Sequence, residues 1–252
     1  MSSTKEYYFE VQQERFLAWA KDNHGIELDQ DEDAETWERL SLEYSSMQDA
    51  MEEEAEYRWL RRHPHTEFFN EFARELVTAS ALLDQPLAID KAQTLYKLVY
   101  AHAVTLLESL VSSVVRSIVA GNPVFVAHMA TGYDELSKRK FTLKEIIEQP
   151  KGVESIVLKT LSDLSFHNPH TIKAVMDSAF GKHMKGLDLR GISPICAKRH
   201  DIIHRNGRTI DDDPIKLDLA EVTQGITVIR AFAADLQSRI YNALEEEESE
   251  PF

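Results

Sequence analysis

The stretch LVYAHAVTLLESLVSSVVRSIV, residues 98–119, is the most apolar run of this chain. It is long enough to cross a bilayer, since a membrane-spanning helix needs about 20 mostly apolar residues. It also contains Glu108, Arg116 and four serines, which are costly in lipid. We therefore predict a helix that is buried inside a helical protein and does not cross a membrane.

The rest of the chain also has helical periodicity. Apolar residues recur at steps of three and four, and only nine Gly and eight Pro interrupt the 252 residues. Capping and helix-ending residues set the boundaries, with Ser193 as one predicted N-cap and Asp213 as another. The predicted helices cover residues 4–22, 34–62, 66–83, 91–120, 142–148, 153–164, 169–179, 194–206 and 214–244. No segment favours a strand, so we predict an all-α fold.

Charge and helix-ending signals suggest three regions. Residues 1–62 are predicted to form an acidic helical extension, 63–244 a helical domain and 245–252 a disordered acidic tail. The net charge is −15, and residues 27–56 alone carry thirteen acids against one base. Residues 180–208, in contrast, carry seven Lys and Arg against two Asp. A polyanionic partner would therefore meet a local basic surface on an acidic protein.

The compartment is predicted from Cys196 and from the N-terminal residues. A single cysteine excludes an intramolecular disulfide and suits a reducing environment. The first residues, MSSTKEYYFEVQQERF, lack the apolar core of a signal peptide. We predict a cytoplasmic protein that does not associate with a membrane.

The segment RHDIIHRNGR, residues 199–208, concentrates the chemistry-bearing side chains. On a helix with about 100° per residue, Arg199 falls in the middle of the apolar face. That face also carries Ile195, Cys196, Ile202 and Ile203, whereas the other side carries His200, His204, Ala197, Asp201 and Arg205. Gly207 is predicted to end the helix in a left-handed conformation.

A guanidinium on an apolar face needs a partner, because an unpaired buried charge is very costly. Glu108 is the only acid between Asp90 and Asp134, and it lies on the apolar helix. We predict that Glu108 and Arg199 form an ion pair. Two alternatives stay open: Arg199 extends its head to solvent, or Glu108 binds a hydroxyl or His102.

His200 and His204 are four residues apart and share a helix face. This spacing can bind a metal, but no Glu follows the first His in the zincin pattern and no third ligand is evident, so we predict neither metal nor cofactor. The pair is either a surface feature without a role or an acid–base pair. Arg and His without metal are suited to cleave RNA through its own 2′-hydroxyl, a group that DNA lacks.

The motif resembles the signature of HEPN domains: an Arg, a polar residue, three further residues and a His. Arg199, His200 and His204 match it in order. The continuation RNGRTIDD and the Glu108 segment AHAVTLLESLVSSVV are also similar to HEPN proteins. The resemblance covers roughly residues 90–244 and leaves out residues 1–62.

The resemblance implies a HEPN-like helical bundle with metal-independent endoribonuclease activity. It implies a homodimer in which two motif helices face one cleft, with His204 as the acid–base residue, Arg199 as the phosphate-positioning cation and His200 as a polar helper. Many such proteins are toxins or antiviral-defence effectors restrained by a protein partner such as an antitoxin. Glu108 and Asp201 would support the site, and the RNA-binding cations would be Arg205, Arg208 and Lys198.

Two other functions remain open. The chain is an alternative candidate for a non-catalytic HEPN-like dimeric module that binds RNA, a nucleotide or a protein partner. In that case removal of the His204 side chain would leave binding nearly unchanged. It is also a candidate for a plain helical adaptor, in which Arg199 serves stability only.

Overall fold

The computed structural model describes residues 3–29, 34–86 and 89–249, and these ranges are all-α, as predicted. No strand forms in them; one isolated bridge pairs Arg208 with Pro214. The eleven α-helices of the described ranges are α1 (Ser3–His24), α2 (Ala34–Arg62), α3 (His65–Ala81), α4 (Ile89–Val119), α5 (Pro123–Gly132), α6 (Asp134–Ser137), α7 (Leu143–Ile147), α8 (Val153–Asp163), α9 (Pro169–Phe180), α10 (Ile192–His204) and α11 (Leu219–Ser249).

The chain divides into two compact units, residues 1–59 and 60–252. The predicted boundary, after residue 62, lies three residues later. The last turn of α2 explains the difference, since Leu60 is 2% exposed and the Ser117 hydroxyl donates to the carbonyl oxygen of His63 at 2.8 Å. These contacts attach the end of α2 to the larger unit.

Aromatic side chains form the core of the smaller unit. Phe16 and Leu40 are buried, and the ring of Phe16 meets that of Trp37 edge-on at a centroid distance of 5.0 Å. Trp19 and Tyr44 add a second ring pair, 5.2 Å apart. The result is a small apolar cluster between α1 and α2.

Helix α4 is the central helix of the larger unit. Helices α3, α8, α10 and α11 pack against it, and Val104, Val111 and Val115 are fully buried. The prediction of a buried core helix is therefore confirmed. Among the described residues, Lys91–Val119 is also the one helix that is long and apolar enough to cross a membrane, by length and composition alone.

Helices α5 and α6 are absent from the sequence-based predictions. The predicted helix over residues 91–120 stops just before Gly121-Asn122-Pro123, and this segment also starts α5. The side chain of Asn122 accepts a hydrogen bond from the backbone N–H of Val124 at 2.9 Å, and Pro123 occupies the first helical turn. Asn122 is thus an N-cap, and Pro123 fits there because its missing N–H has no helical partner at that position.

Both ends of α10 differ from prediction. The helix begins at Ile192 without a side-chain cap, so Ser193 lies in the first turn, where its hydroxyl donates to the carbonyl oxygen of Leu189. At the other end Gly207 is left-handed as predicted, with φ 73°, but Asn206 before it is left-handed as well, with φ 52°. The N–H of Gly207 donates to the carbonyl oxygen of Ile202 at 3.1 Å, which closes a Schellman-type end.

Helix α11 also has different ends from those predicted. Its N-cap is Asp218, whose carboxylate accepts from the N–H of Glu221 at 2.7 Å. Asp213 instead accepts from the N–H of Thr209 in the preceding loop, so the predicted cap at Asp213 is wrong. The helix continues to Ser249, so the predicted disordered tail is helical over 245–249, and residues 250–252 lie outside the described ranges.

We expect Gly207→Ala to lower the free energy of unfolding by more than the about 1–2 kcal/mol that a left-handed conformation costs an L-residue. A Cβ at this position would lie 2.6 Å from the Nζ of Lys97, so the lysine must also move. Gly186→Ala is the matched control, because its φ is 82° and nothing lies within 4 Å of its added Cβ. Urea unfolding measures both. Equal losses would contradict the expected cost of moving Lys97.

Candidate functional site

Helix α10 separates the motif into a buried side and an exposed side. Ile195, Cys196 and Ile202 are buried in the core of the larger unit, as predicted. Ile203 was predicted on the same face but is 51% exposed, so that assignment is wrong. The apolar face is narrower than the helical wheel indicated: α4, α9 and α11 pack against α10, and Ile203 lies outside the part of the helix that is buried.

Arg199 and Glu108 form the predicted ion pair. Nη2 of Arg199 lies 3.5 Å from Oε2 of Glu108, and the two side chains are 15% and 19% exposed. The pair joins α10 to α4 inside the larger unit. The alternative in which the guanidinium of Arg199 extends into solvent does not occur.

The pair is loose. Nε of Arg199 and Oε1 of Glu108 are both buried, and neither has a hydrogen-bond partner among the described residues. A bidentate arrangement would use both atoms, as Arg–carboxylate pairs commonly do. Each atom therefore keeps an unused hydrogen-bonding capacity at the centre of the site.

Burial raises the pKa of the Glu108 carboxyl above its ordinary value, although Arg199 and His167 act in the opposite direction. Burial also raises the pKa of the neighbouring Cys196 thiol, to about 11, with Glu108 adding to the effect and Arg199 opposing it. The thiol is consequently protonated at neutral pH. This state does not suit Cys196 as a nucleophile, because the thiolate is the reactive form.

The two histidines of the motif are exposed neighbours. The rings of His200 and His204 lie 4.7 Å apart and are tilted by 42°. Within the described ranges, no group of three or more His, Cys, Asp or Glu side chains is placed to hold a metal ion. The imidazoles of His200 and His204 are both accessible to a molecule that approaches α10 from solvent.

The predicted basic surface is largely neutralised by nearby carboxylates. Asp201, predicted to support the site, contacts Arg205 on the solvent side. Exposed pairs of this kind contribute little to stability, about 0–1 kcal/mol, so an incoming phosphate can compete for the cations. The ion pairs are Lys198 with Glu221, Arg205 with Asp201, and Arg208 with Asp212.

Lys97 is a cation near the motif that the sequence-based predictions missed. Its Nζ packs beside Gly207, where only the absence of a Cβ leaves room for it. It precedes Glu108 by eleven residues, which is about three helical turns, so the two side chains share one face of α4. That spacing is a signal in the sequence that could have identified it.

The loop after α10 is ordered by backbone contacts. The N–H of Ile215 donates to the carbonyl oxygen of Gly207 at 2.8 Å. The side-chain amide of Gln93 on α4 then holds Leu217 at both polar atoms: it donates to the carbonyl at 2.6 Å and accepts from the N–H at 3.2 Å. This clamp fixes the position of the loop that carries Arg208.

His167 is a second side chain that the sequence-based predictions missed. It lies in the loop between α8 and α9. A positive charge on this imidazole acts to lower the pKa of Glu108, against the larger effect of burial. Its Nδ1 contacts the hydroxyl of Ser165.

Two cavities lie away from the motif. One, of about 450 Å³, is lined by residues from α3, α4 and the ends of α2 and α11, including His65 and Tyr241. The other, of about 320 Å³, includes His128 and His183. Neither includes a residue of the 199–208 segment.

Comparison of the chain with protein-family models, with curated proteins and with solved structures finds no match.

We expect the destabilisation caused by removing Arg199 to depend on pH more strongly than the destabilisation caused by removing Glu108. The pKa of Glu108 in the folded protein lies above the ordinary value of 4.5, so protonation of Glu108 stabilises the folded state. This stabilisation is complete below pH 4.5 and is lost as the pH rises through the pKa of the folded state. In Arg199→Ala the Glu108 carboxyl no longer has its cation, but it can become neutral by taking up a proton. Its destabilisation should therefore be small at pH 4.5 and grow to about 2–4 kcal/mol at pH 8.

Glu108→Ala is the matched variant for that comparison. It leaves a guanidinium that cannot deprotonate, so its destabilisation should be similar at both pH values. Urea unfolding of both variants and the wild-type chain at pH 4.5 and pH 8 provides the measurement. The same pH dependence in the two variants would show that Glu108 does not titrate as its burial implies.

Proposed function

We propose that this protein is a metal-independent endoribonuclease of the HEPN type, acting as a homodimer in the cytoplasm. The observation that carries the proposal is the division of α10 around the Glu108–Arg199 pair. One side of the helix holds a buried guanidinium in place, and the other presents His200 and His204 to solvent. This combination supplies a fixed cation and accessible acid–base groups without a metal.

The proposed reaction is transesterification within the RNA strand. His204 takes the proton of the 2′-hydroxyl, whose oxygen forms a bond to the adjacent phosphorus while the bond from phosphorus to the 5′ oxygen breaks. A protonated group, His204 of the second motif or His200, gives a proton to the leaving 5′ oxygen. The products are a 2′,3′-cyclic phosphate and a 5′-hydroxyl.

In this mechanism Arg199 stabilises the charge that develops on the pentacoordinate phosphate. Because its guanidinium lies beside Glu108 on the buried side of α10, Arg199 has to turn toward the phosphate to make this contact. Lys198, Arg205 and Arg208 bind flanking phosphates after exchanging their carboxylate partners. The dominant contribution to affinity then depends on salt, as is usual for phosphate contacts.

A homodimer through α10 fits the exposed apolar residue of the motif. Ile203 is 51% exposed between the two histidines in the sequence and is therefore accessible to a second α10 helix. Pairing of two α10 helices would bury it and bring two His pairs into one cleft. A restraining protein partner, such as an antitoxin, would then act by covering this cleft.

We expect the purified chain to cleave single-stranded RNA in EDTA and to leave DNA of the same sequence intact. His204→Ala should lower the cleavage rate by about 100-fold or more, since acid–base groups contribute about 10²–10⁴. His170→Ala is the matched control, because it removes an exposed imidazole from α9. Electrophoresis of end-labelled RNA measures cleavage, and circular dichroism verifies the fold. Activity that survives in His204→Ala would overturn the proposed mechanism.

The ion pairs on the surface favour one second candidate, a non-catalytic module that binds RNA, a nucleotide or a protein. Three cations of the motif region already hold carboxylates, which suits reversible exchange with a ligand as well as it suits catalysis. This candidate gives binding without cleavage, and His204→Ala leaves affinity unchanged. A salt titration of RNA binding, combined with the cleavage assay, distinguishes the two functions.

A further inference from the structure

One side of α4 follows the motif helix from Arg199 to the loop beyond it. Glu108 pairs with Arg199, and Gln93 holds the loop after the end of α10. Lys97 is four residues after Gln93 and eleven before Glu108, so the three side chains share this side of α4. Lys97 therefore lies opposite the C-terminal end of α10, where His204 is the last helical residue.

The side chain of Lys97 packs against the turn that ends α10. A Cβ added to Gly207 would lie 2.6 Å from Nζ of Lys97, 3.3 Å from Cε and 3.5 Å from Cδ. The N–H of Gly207 donates to the carbonyl oxygens of Asp201 and Ile202, so this glycine belongs to the last turn of the motif helix. The missing side chain of Gly207 thus leaves the space in which the ammonium group of Lys97 lies.

The ammonium group of Lys97 differs from the other cations around the motif. Within the described ranges it has no ion pair and no hydrogen bond, although the side chain is half-buried. Its Nζ is not among the buried unpaired atoms of those ranges, so it reaches solvent. A positive charge is therefore left uncompensated at the end of the motif helix. The cations of residues 198–208, in contrast, each contact a carboxylate: Lys198 with Glu221, Arg199 with Glu108, Arg205 with Asp201, and Arg208 with Asp212.

A lysine at this position has two physical explanations. A cation near a helix C-terminus interacts favourably with the partial negative charge of the last carbonyl groups, which stabilises the helix and needs no ligand. A cation without a carboxylate is also the group that an RNA phosphate meets with least competition, because no ion pair has to break first. Within the described ranges Lys97 makes no hydrogen bond to a carbonyl group of α10, which favours the second explanation.

We propose that Lys97 binds a phosphate of RNA that flanks the scissile one. The inference rests on the proposed function, because it adds a residue to the same site. Arg199 and Gly207 are eight residues apart, about 12 Å along the axis of α10. One phosphate does not span this distance, so Arg199 and Lys97 contact different phosphates of one strand. Lys97 thereby contributes to affinity for RNA and takes no part in the chemical step.

Binding of single-stranded RNA as a function of salt concentration tests this assignment. The probe is a fluorescently labelled oligouridine with 2′-O-methyl riboses, which has the phosphates but no free 2′-hydroxyl for the proposed reaction. Lys97→Met keeps the apolar stem and removes the charge. It should weaken binding about two- to fivefold and lower the slope of log K against log[salt] by about 0.7, the contribution of one phosphate contact. Lys97→Arg keeps the charge and should retain the wild-type slope.

Lys140→Met is the matched control. It removes the same charge from an exposed lysine between α6 and α7, which also has no ion pair within the described ranges. Its slope should equal that of the wild-type chain. Three results would each overturn the proposal: a wild-type slope in Lys97→Met, an equal fall in both variants, or a wild-type chain that does not bind the probe.

Gly207→Ala tests the placement of Lys97 independently. The added Cβ displaces the ammonium group, so this variant should lose the same part of the slope as Lys97→Met. The double variant should lose no more than either single variant, because both changes remove one contact. Additive losses would contradict the placement. If Gly207→Ala does not fold, the comparison of Lys97→Met with Lys97→Arg decides, since both keep the glycine.

Urea unfolding and cleavage kinetics separate the binding role from a structural one. A lysine that only stabilises the helix end predicts a less stable Lys97→Met variant with the wild-type slope, which would refute the proposal. On cleavable RNA, Lys97→Met should raise KM with nearly unchanged kcat. A dinucleotide, which has only the scissile phosphate, should be cleaved by this variant at the wild-type rate.

Failure of this proposal and failure of the proposed nuclease give different results. A wild-type chain that binds the probe, with a lower slope in Lys97→Met, but cleaves no RNA would refute the nuclease and retain the role of Lys97. Cleavage by the wild-type chain, with identical binding and KM in Lys97→Met and Lys140→Met, would refute the role of Lys97 and retain the nuclease.

Discussion

The ion pair between Glu108 and Arg199 is the constraint on which the motif region depends. Two opposite charges lie in an otherwise apolar core, and neither is tolerable there without the other. Because each charge sits on a different helix, the pair fixes the rotation of α10 against α4. That rotation in turn determines which residues of the motif face solvent.

The charges of the motif region therefore fall into two classes. The buried pair is expensive to break, whereas the exposed pairs of Lys198, Arg205 and Arg208 contribute little and exchange readily. In the proposed function this difference has a use, because the surface cations can release their carboxylates and accept phosphates. The local charge of the surface is close to neutral until a ligand arrives.

Periodicity and capping residues predicted most of the helices but misplaced several helix ends. No helix was predicted between residues 120 and 142, although Asn122-Pro123 start α5. Asp213-Pro214 and Ser193-Pro194 have the composition of caps, but their positions are set by contacts that a helical wheel does not contain. A capping residue predicts that a helix starts nearby, and the packing of the chain decides at which residue it starts.

Patterns in the amino-acid sequence were enough to predict the all-α fold, the burial of α4 and the pairing of Glu108 with Arg199. These follow from periodicity and from the cost of burying charge, and both can be evaluated along the chain. Two features came from the tertiary structure: Lys97 lies beside Gly207, and carboxylates neutralise the surface cations. Those contacts join segments whose relative placement comes from the packing of whole helices, which no short pattern of residues encodes.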